Sequence, residues 1–237
     1  MTIRASDRAA SQRFYDTVLT TLGWQPTHDD DWYVEWRDFS LGQESSDRPV
    51  THGLHLGFVA PDRAHVDAFW RAGTAAGYRS DGEPGPRPQY GPDYYGGFLL
   101  DPDGNSAEAV HHDSLRSDGG IVDHLWIRVA DLAASRDFYT RVAAHAGFRL
   151  KRELPDRVQY SGETGTFSLV EGPPTANLHL AFPAPEQTVD TFHADLVAAG
   201  YRDEGAPAER PIYHPGYYGA FVRDPDGNVV ELVDHHH

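Results

Sequence analysis

Asp7-Arg-Ala-Ala-Ser-Gln-Arg-Phe-Tyr15 returns 124 positions later as Asp131-Leu-Ala-Ala-Ser-Arg-Asp-Phe-Tyr139. Three further blocks return in the same order: His55-Leu-Gly-Phe58 as His179-Leu-Ala-Phe182, Tyr94-Tyr-Gly-Gly-Phe98 as Tyr217-Tyr-Gly-Ala-Phe221, and Asp101-Pro-Asp-Gly-Asn105 as Asp224-Pro-Asp-Gly-Asn228. Because four blocks keep one order at an offset of 123 or 124 positions, the chain is a tandem duplication. We therefore expect two domains, over residues 1–113 and 120–237, joined by a polar linker over 114–119.

Each copy carries the pattern of a strand, a helix and further strands, and that order occurs twice per copy. In the second copy we expect strands at 121–130, 157–160, 166–170, 177–182, 218–223 and 229–233. Helices are expected after the N-cap residue Asp131 and over residues 189–199. Four such units predict an α+β fold, with helices on one face of the sheets and a cleft on the other.

The composition excludes several functions. The chain has 237 residues, with 20 basic and 36 acidic side chains and a formal charge of −16, which argues against binding nucleic acid or anionic lipid. It has no cysteine, so thiolate metal sites and a cysteine nucleophile are excluded. No apolar run reaches the ~20 residues of a membrane span, and the N-terminal residues lack the apolar core of a signal peptide. We expect a cytoplasmic protein.

Three polar residues interrupt apolar strands of the second copy: His124, His179 and Glu231. Alternation places Val122, His124, Trp126 and Arg128 on one face of the first strand, away from the helices. A carboxylate among valines is costly to bury without compensation, and a divalent cation held by two histidines and one glutamate would supply it. The other interpretation is that these are hydrogen-bonded core residues or lie on an outer face.

These residues and blocks resemble the vicinal oxygen chelate superfamily, which includes glyoxalase I, extradiol dioxygenases and bleomycin-resistance proteins. The resemblance covers the whole chain twice. It implies two tandem glyoxalase-like domains, each of paired βαβββ modules whose curled mixed sheets form a cleft with a metal at its floor. It also implies ligand roles for His124, His179 and Glu231 and one divalent ion, which is Fe, Mn, Zn or Ni.

The first copy keeps His55 and Glu108 at the equivalent positions, but the partner of His124 would fall one position ahead of Met1. Either this copy holds a degenerate site or a native start lies upstream. If each copy closes its own cleft, His124 joins His179 and Glu231. If the copies exchange modules, His124 joins His55 and Glu108. We expect the first pairing.

Other side chains are assigned to catalysis or to substrate binding. The resemblance places Glu171 where glyoxalase I-like members carry a fourth ligand or general base, although a role in an exposed loop is equally open. Tyr213 and Tyr218 are candidates for proton donation or for aromatic packing at a strand entrance. Arg128 is a candidate for holding a substrate carboxylate, beside Trp126 and His214.

Two functions follow, beside a third interpretation, a scaffold that has lost activity, which only the incomplete first copy suggests. The first is a divalent-metal-dependent enzyme, a lyase, an isomerase or a ring-cleaving dioxygenase, acting on a small oxygen-rich substrate. The second is a metal-free protein of the bleomycin-resistance type that sequesters a cationic ligand, which the acidic composition fits. In both cases the partner is a small molecule, and we expect either a monomer that is a pseudo-dimer or a homodimer.

Overall fold

Four units with one order of elements build the protein in the computed structural model, which describes residues 1–115 and 119–236. Unit 1 contains β1 (Thr2–Ala5), α1 (Arg8–Leu19), a 3-10 turn (Thr20–Leu22), β2 (His28–Asp29), β3 (Tyr33–Trp36) and β4 (Phe39–Gln43). Unit 2 contains β5 (His55–Val59), α2 (Arg63–Ala75), β6 (Ser80–Pro86), β7 (Tyr95–Leu100) and β8 (Ser106–His111). Residues 116–118 of the expected linker lie outside the described residues.

The second copy repeats this order. Unit 3 contains β9 (Val122–Val129), α3 (Leu132–His145), β10 (Arg149–Leu154), β11 (Arg157–Gly162) and β12 (Gly165–Glu171). Unit 4 contains β13 (His179–Pro183), α4 (Glu186–Ala198), β14 (Arg202–Glu209), β15 (Tyr218–Arg223) and β16 (Val229–Asp234). The expected α+β class and the expected strands and helices are confirmed. Among the described residues, no helix is long and apolar enough to cross a membrane.

The copies exchange units to form two mixed sheets of eight strands. Sheet I has the order β14-β15-β16-β13-β1-β4-β3-β2 and joins unit 4 to unit 1. Sheet II has the order β10-β11-β12-β9-β5-β8-β7-β6 and joins unit 3 to unit 2. Each sheet is continuous because two first strands pair antiparallel at its centre, β1 with β13 and β5 with β9. The expectation that each copy closes its own cleft is therefore wrong.

Two connecting segments, residues 50–54 and 174–178, hold this exchange at the middle of the molecule. Thr51 Oγ1 donates to the Asn177 carbonyl at 2.9 Å, and Thr175 Oγ1 donates to the Gly53 carbonyl at 2.9 Å. The backbones of His52 and Ala176 also bond to each other in both directions. Since buried backbone groups must find partners, these reciprocal bonds set unit 4 beside unit 1 and unit 3 beside unit 2.

Each copy nevertheless packs as one body on its helical side. The buried Tyr15 of α1 donates from its hydroxyl to Asp101 Oδ2 in the last turn of unit 2, at 3.0 Å, and Tyr139 donates likewise to Asp224 at 2.9 Å. α1 also contacts α2, and α3 contacts α4. A copy is thus a packing unit whose two halves contribute strands to different sheets.

Candidate metal centre

Three side chains converge on the open face of sheet II, in what we call the complete cleft: His55 from β5, Glu108 from β8 and His124 from β9. His55 Nε2 lies 3.0 Å from Glu108 Oε2, His124 Nε2 lies 3.2 Å from the same oxygen, and the two Nε2 atoms are 3.3 Å apart. Neighbouring ligands held about 2.1 Å from one ion are separated by about 3.0–3.4 Å. Within the described ranges, this is the one group of three or more metal-ligating side chains that come this close.

Two glycines leave room for these ligands. Gly57 pairs with His124 on one side and with Glu108 on the other, and a Cβ on Gly57 would lie 2.2 Å from His124 Cε1. A Cβ on Gly96 would lie 2.3 Å from Glu108 Oε1. The missing side chains therefore create the space in which the imidazole and the carboxylate lie.

Acceptors behind the histidines fix which imidazole nitrogen faces the centre. His124 Nδ1 lies 2.9 Å from Asp123 Oδ2, and a carboxylate only accepts, so Nδ1 donates. Ser106 Oγ donates to Asp81 Oδ2 at 2.7 Å and so accepts from His55 Nδ1 at 3.1 Å. Each Nδ1 atom is thus occupied, so both Nε2 atoms face the centre, where they can offer lone pairs to a cation that replaces the shared proton, as metal-binding histidines do.

The electrostatics of the cluster also suit a cation. Burial acts to raise the pKa of Glu108, but its contacts with His124 and His55 overcome this effect and lower that pKa to about 2. Burial acts to lower the pKa of His124, but its bonds to Asp123 and Glu108 raise that pKa to about 10. The cluster thus stabilises one positive charge among its three ligand atoms, and a divalent ion would take the place of the proton.

A cavity of about 310 Å³ opens directly in front of the three ligands. Aromatic side chains form much of its wall, namely Tyr90, Tyr94, Phe98 and Trp126. Two guanidinium groups, from Arg87 and Arg128, line it as well. The predicted substrate-binding residues Trp126 and Arg128 therefore both lie beside the ligand cluster.

Sheet I carries an equivalent but smaller set, in what we call the partial cleft. His179 Nε2 lies 2.8 Å from Glu231 Oε2, and the Tyr217 hydroxyl donates to Glu231 Oε1 at 2.5 Å. The first strand β1 reaches His179 through Thr2 and provides no third ligand. His179 and Glu231 therefore lie in a different sheet from His124, and the expected set of His124, His179 and Glu231 is not brought together.

Comparison with known proteins agrees with this architecture. A model of the glyoxalase/bleomycin resistance protein/dioxygenase superfamily matches residues 1–109 and 121–232. The chain belongs to this superfamily. The match is twofold, as the duplication requires. No curated protein sequence matches the chain.

Two solved structures show how members of this superfamily resemble the chain. Glyoxalase I from Zea mays is 19% identical, with 99% of this chain and 90% of that chain covered and a TM-score of 0.70. A putative dioxygenase from Bacillus subtilis is 13% identical, with 100% of this chain and 84% of that chain covered and a TM-score of 0.69. At these identities the likeness supports the two-copy fold alone.

The residue proposed as a fourth ligand or base, Glu171, lies away from the cluster. It is exposed and pairs with Val129, so it shares the helix-side face of β9 rather than the face of His124. The residue of β12 that pairs with Trp126, on the cleft face, is the buried Ser168. The described residues therefore offer three protein ligands in the complete cleft of this superfamily member.

The two predicted catalytic tyrosines also lie elsewhere. Tyr218 donates to Asp190 on α4 at 2.8 Å, a bond that, with some burial, raises its pKa to about 12 and holds it on the helix side. Tyr213 is half-exposed at the partial cleft and packs on Tyr217. His214, predicted to bind substrate, lies there too, 3.0 Å from His235.

Two groups of the complete cleft, Tyr94 and Asp123, were not among the predicted site residues. The Tyr94 hydroxyl donates to Glu108 Oε1 at 2.8 Å, and its ring stacks on His112. Regular alternation along β9 would place Asp123 on the opposite face from His124. A bulge in β9, where Gly57 pairs with His124 but Phe58 pairs with Val122, makes Asp123 an extra residue. The bulge also moves Val122 off the face of His124, so the expected placement of Val122 on that face is wrong.

Proposed function

We propose that the chain is a divalent-metal-dependent enzyme that acts in the complete cleft on a small, oxygen-rich organic anion. The observation that carries this proposal is the convergence of His55, Glu108 and His124, with both Nε2 atoms aimed inward. Two histidines and one carboxylate suit Fe, Mn, Zn or Ni and leave coordination positions for substrate. Such an ion would polarise two chelating substrate oxygens and stabilise an oxyanion or enolate, or serve dioxygen chemistry if it is Fe(II).

Side chains that line the cavity would bind the substrate and hold the metal ligands in position. Arg128 offers a planar guanidinium for a substrate carboxylate, and Arg87 adds a second positive charge to the wall. Trp126 and Tyr90 pack edge to face in the wall of this cavity, where they would limit the access of bulk water to a bound substrate. Tyr94 holds Glu108 through Oε1, so that Oε2 stays directed at the two histidines.

The cavity does not favour the alternative of a metal-free binder for a cationic ligand. Its acidic groups are already engaged, Asp81 by Ser106 and Glu108 by the two histidines. Arg87 and Arg128 would repel a cation there. The negative charge of the chain lies mainly outside this cavity and is suited to keeping the protein dispersed.

Metal content tests the proposal. We expect about one tightly held ion per chain after anaerobic reconstitution with Fe(II), Mn(II), Zn(II) or Ni(II), measured by elemental analysis. Glu108→Gln should weaken binding at least 100-fold, and the matched variant Glu231→Gln should leave it unchanged. A folded protein that binds none of the four metals, or that loses binding equally in both variants, would refute the metal centre.

Substrate charge is tested with two probes that both present vicinal oxygens, catechol and 3,4-dihydroxybenzoate. We expect the metal-loaded protein to bind the carboxylated probe at least fivefold more tightly, and Arg128→Gln to remove that preference. Oxygen uptake with either probe would indicate a dioxygenase, and its absence favours lyase or isomerase chemistry.

Cytoplasmic location and oligomeric state stay predictions, with the single chain building both clefts as a pseudo-dimer.

A further inference from the structure

The bulge in β9 places a second carboxylate against the candidate metal centre. Asp123 is the residue without a partner on β5, and it is buried, with 7% of its surface exposed. Its Oδ2 atom lies 2.9 Å from His124 Nδ1 and 3.3 Å from His112 Nε2. A regular strand would point Asp123 to the opposite face from His124, so the bulge itself creates this contact.

His112 connects Asp123 to Tyr94, which contacts the ligand Glu108. Its ring stacks on Tyr94 at 5.5 Å between centroids, and Tyr94 donates to Glu108. His112 Nδ1 also lies 3.1 Å from the Ser114 hydroxyl. Asp123, His112 and Tyr94 therefore form one connected set of contacts that touches both His124 and Glu108, and of the three only Tyr94 lines the cavity.

We propose that Asp123 is a positioning residue for the metal centre, which it serves by fixing the orientation of the His124 ring. Because Asp123 accepts from Nδ1, the ring can present only Nε2 to the centre. His112 holds the same Asp123 oxygen in place from behind. This proposal rests on the proposed metal centre, but the orientation of His124 exists in the metal-free protein and can be measured there.

The direct test is the His124 Nδ1 proton, followed by NMR in protein with ¹⁵N-labelled histidine, metal-free and loaded with Zn(II). We expect a downfield, slowly exchanging Nδ1 proton in both states of the unaltered protein. Asp123→Ala should abolish its protection. It should also weaken Zn(II) binding by 10–100-fold, as loss of such outer partners does.

Asp113→Ala is the matched control, since it removes an exposed carboxylate next to His112 and should change neither readout. If Asp123→Ala does not fold, Asp123→Leu decides, because leucine is similar in size but has no acceptor, and we expect the same loss of proton protection and of affinity. A folded Asp123 variant that keeps the protected Nδ1 proton and binds Zn(II) within twofold of the unaltered protein would overturn the proposal. If the unaltered protein binds no metal, the proposed function fails, yet the metal-free spectrum still decides whether Asp123 orients His124.

Discussion

The complete cleft and the partial cleft are built from the same parts. Both keep a histidine on an inner strand, a glutamate three strands further on in sequence, a tyrosine that donates to that glutamate, and a glycine that makes room for its carboxylate. The pairs are His55 and His179, Glu108 and Glu231, Tyr94 and Tyr217, and Gly96 and Gly219. The first strand differs, since β9 contributes His124 and β1 begins at Thr2.

One further difference accompanies the missing histidine. Gly57, over which the His124 ring lies, corresponds to Ala181 in the partial cleft. Among the residues that the structure describes, no imidazole lies across from Ala181, so its methyl group meets no ligand ring there. Within the described residues, the imidazole of His124 and the glycine that leaves room for it occur together in the complete cleft, and the partial cleft has neither at the equivalent positions.

The largest expected effect is the creation of a second metal centre. An N-terminal Met-His extension ahead of Met1, combined with Ala181→Gly, would place a histidine opposite residue 181 as His124 lies opposite Gly57. We expect titration calorimetry with Zn(II) to change from one ion per chain to two, with the new site in the micromolar range, about −8 kcal/mol. A Met-Ala extension with the same Ala181→Gly change should stay at one, and a folded Met-His variant that also stays at one would contradict the comparison.

The next prediction tests the space that Gly57 leaves for the His124 ring. Gly57→Ala would place a Cβ within 2.2 Å of the His124 ring, which must then leave its position. We expect a loss of metal affinity of at least about 100-fold and a destabilisation of about 1–3 kcal/mol from overpacking. Calorimetry and denaturant unfolding measure both. The reverse change, Ala181→Gly alone, should leave metal binding as it is, and affinity within threefold for Gly57→Ala would show that the ring has other room.

The fold was predictable from sequence because repeated blocks and alternating apolar residues report local structure. Which units share a sheet was not, since both pairings satisfy the same alternation along each strand. The choice depends on bonds such as that between Thr51 and the Asn177 carbonyl, 126 positions apart. β10 and β14 were also missed, because they are largely exposed and carry no apolar alternation.

The candidate ligands were predictable as residue types that are expensive to bury among apolar neighbours. Their supporting residues were harder to find. Asp123 was hidden by a bulge, which breaks the two-residue period on which the assignment of faces depends. Glu171 was misplaced for a related reason, since the correct face of β12 carries Ser168, a residue type that gives no signal for metal binding.

A smaller effect is expected for two asparagines that make the same hydrogen bonds in the two copies. Asn105 accepts from Leu54 N and donates to the Thr51 carbonyl, and Asn228 makes the equivalent bonds to Leu178 N and the Thr175 carbonyl. Asn105→Ala and Asn228→Ala each leave buried backbone groups unpaired, so we expect about 2–3 kcal/mol of destabilisation from each in urea unfolding. If the two destabilisations differ by more than about 1 kcal/mol, these supporting hydrogen bonds, like the metal ligands, are not equivalent in the two copies.

The smallest expected effect separates the tyrosines of the two clefts. Tyr94→Phe removes the hydroxyl that lies 2.8 Å from Glu108 Oε1 but keeps the ring against His112, so only one hydrogen bond is lost. Such a bond contributes about 0.5–1.5 kcal/mol, so we expect Zn(II) affinity to fall about two- to tenfold. Tyr217→Phe removes an equivalent bond to Glu231, where no third ligand is present, and should not change Zn(II) binding. Equal losses in the two variants would mean that the partial cleft takes part in binding the ion, because a general effect on stability would change the unfolding midpoint rather than the calorimetric affinity.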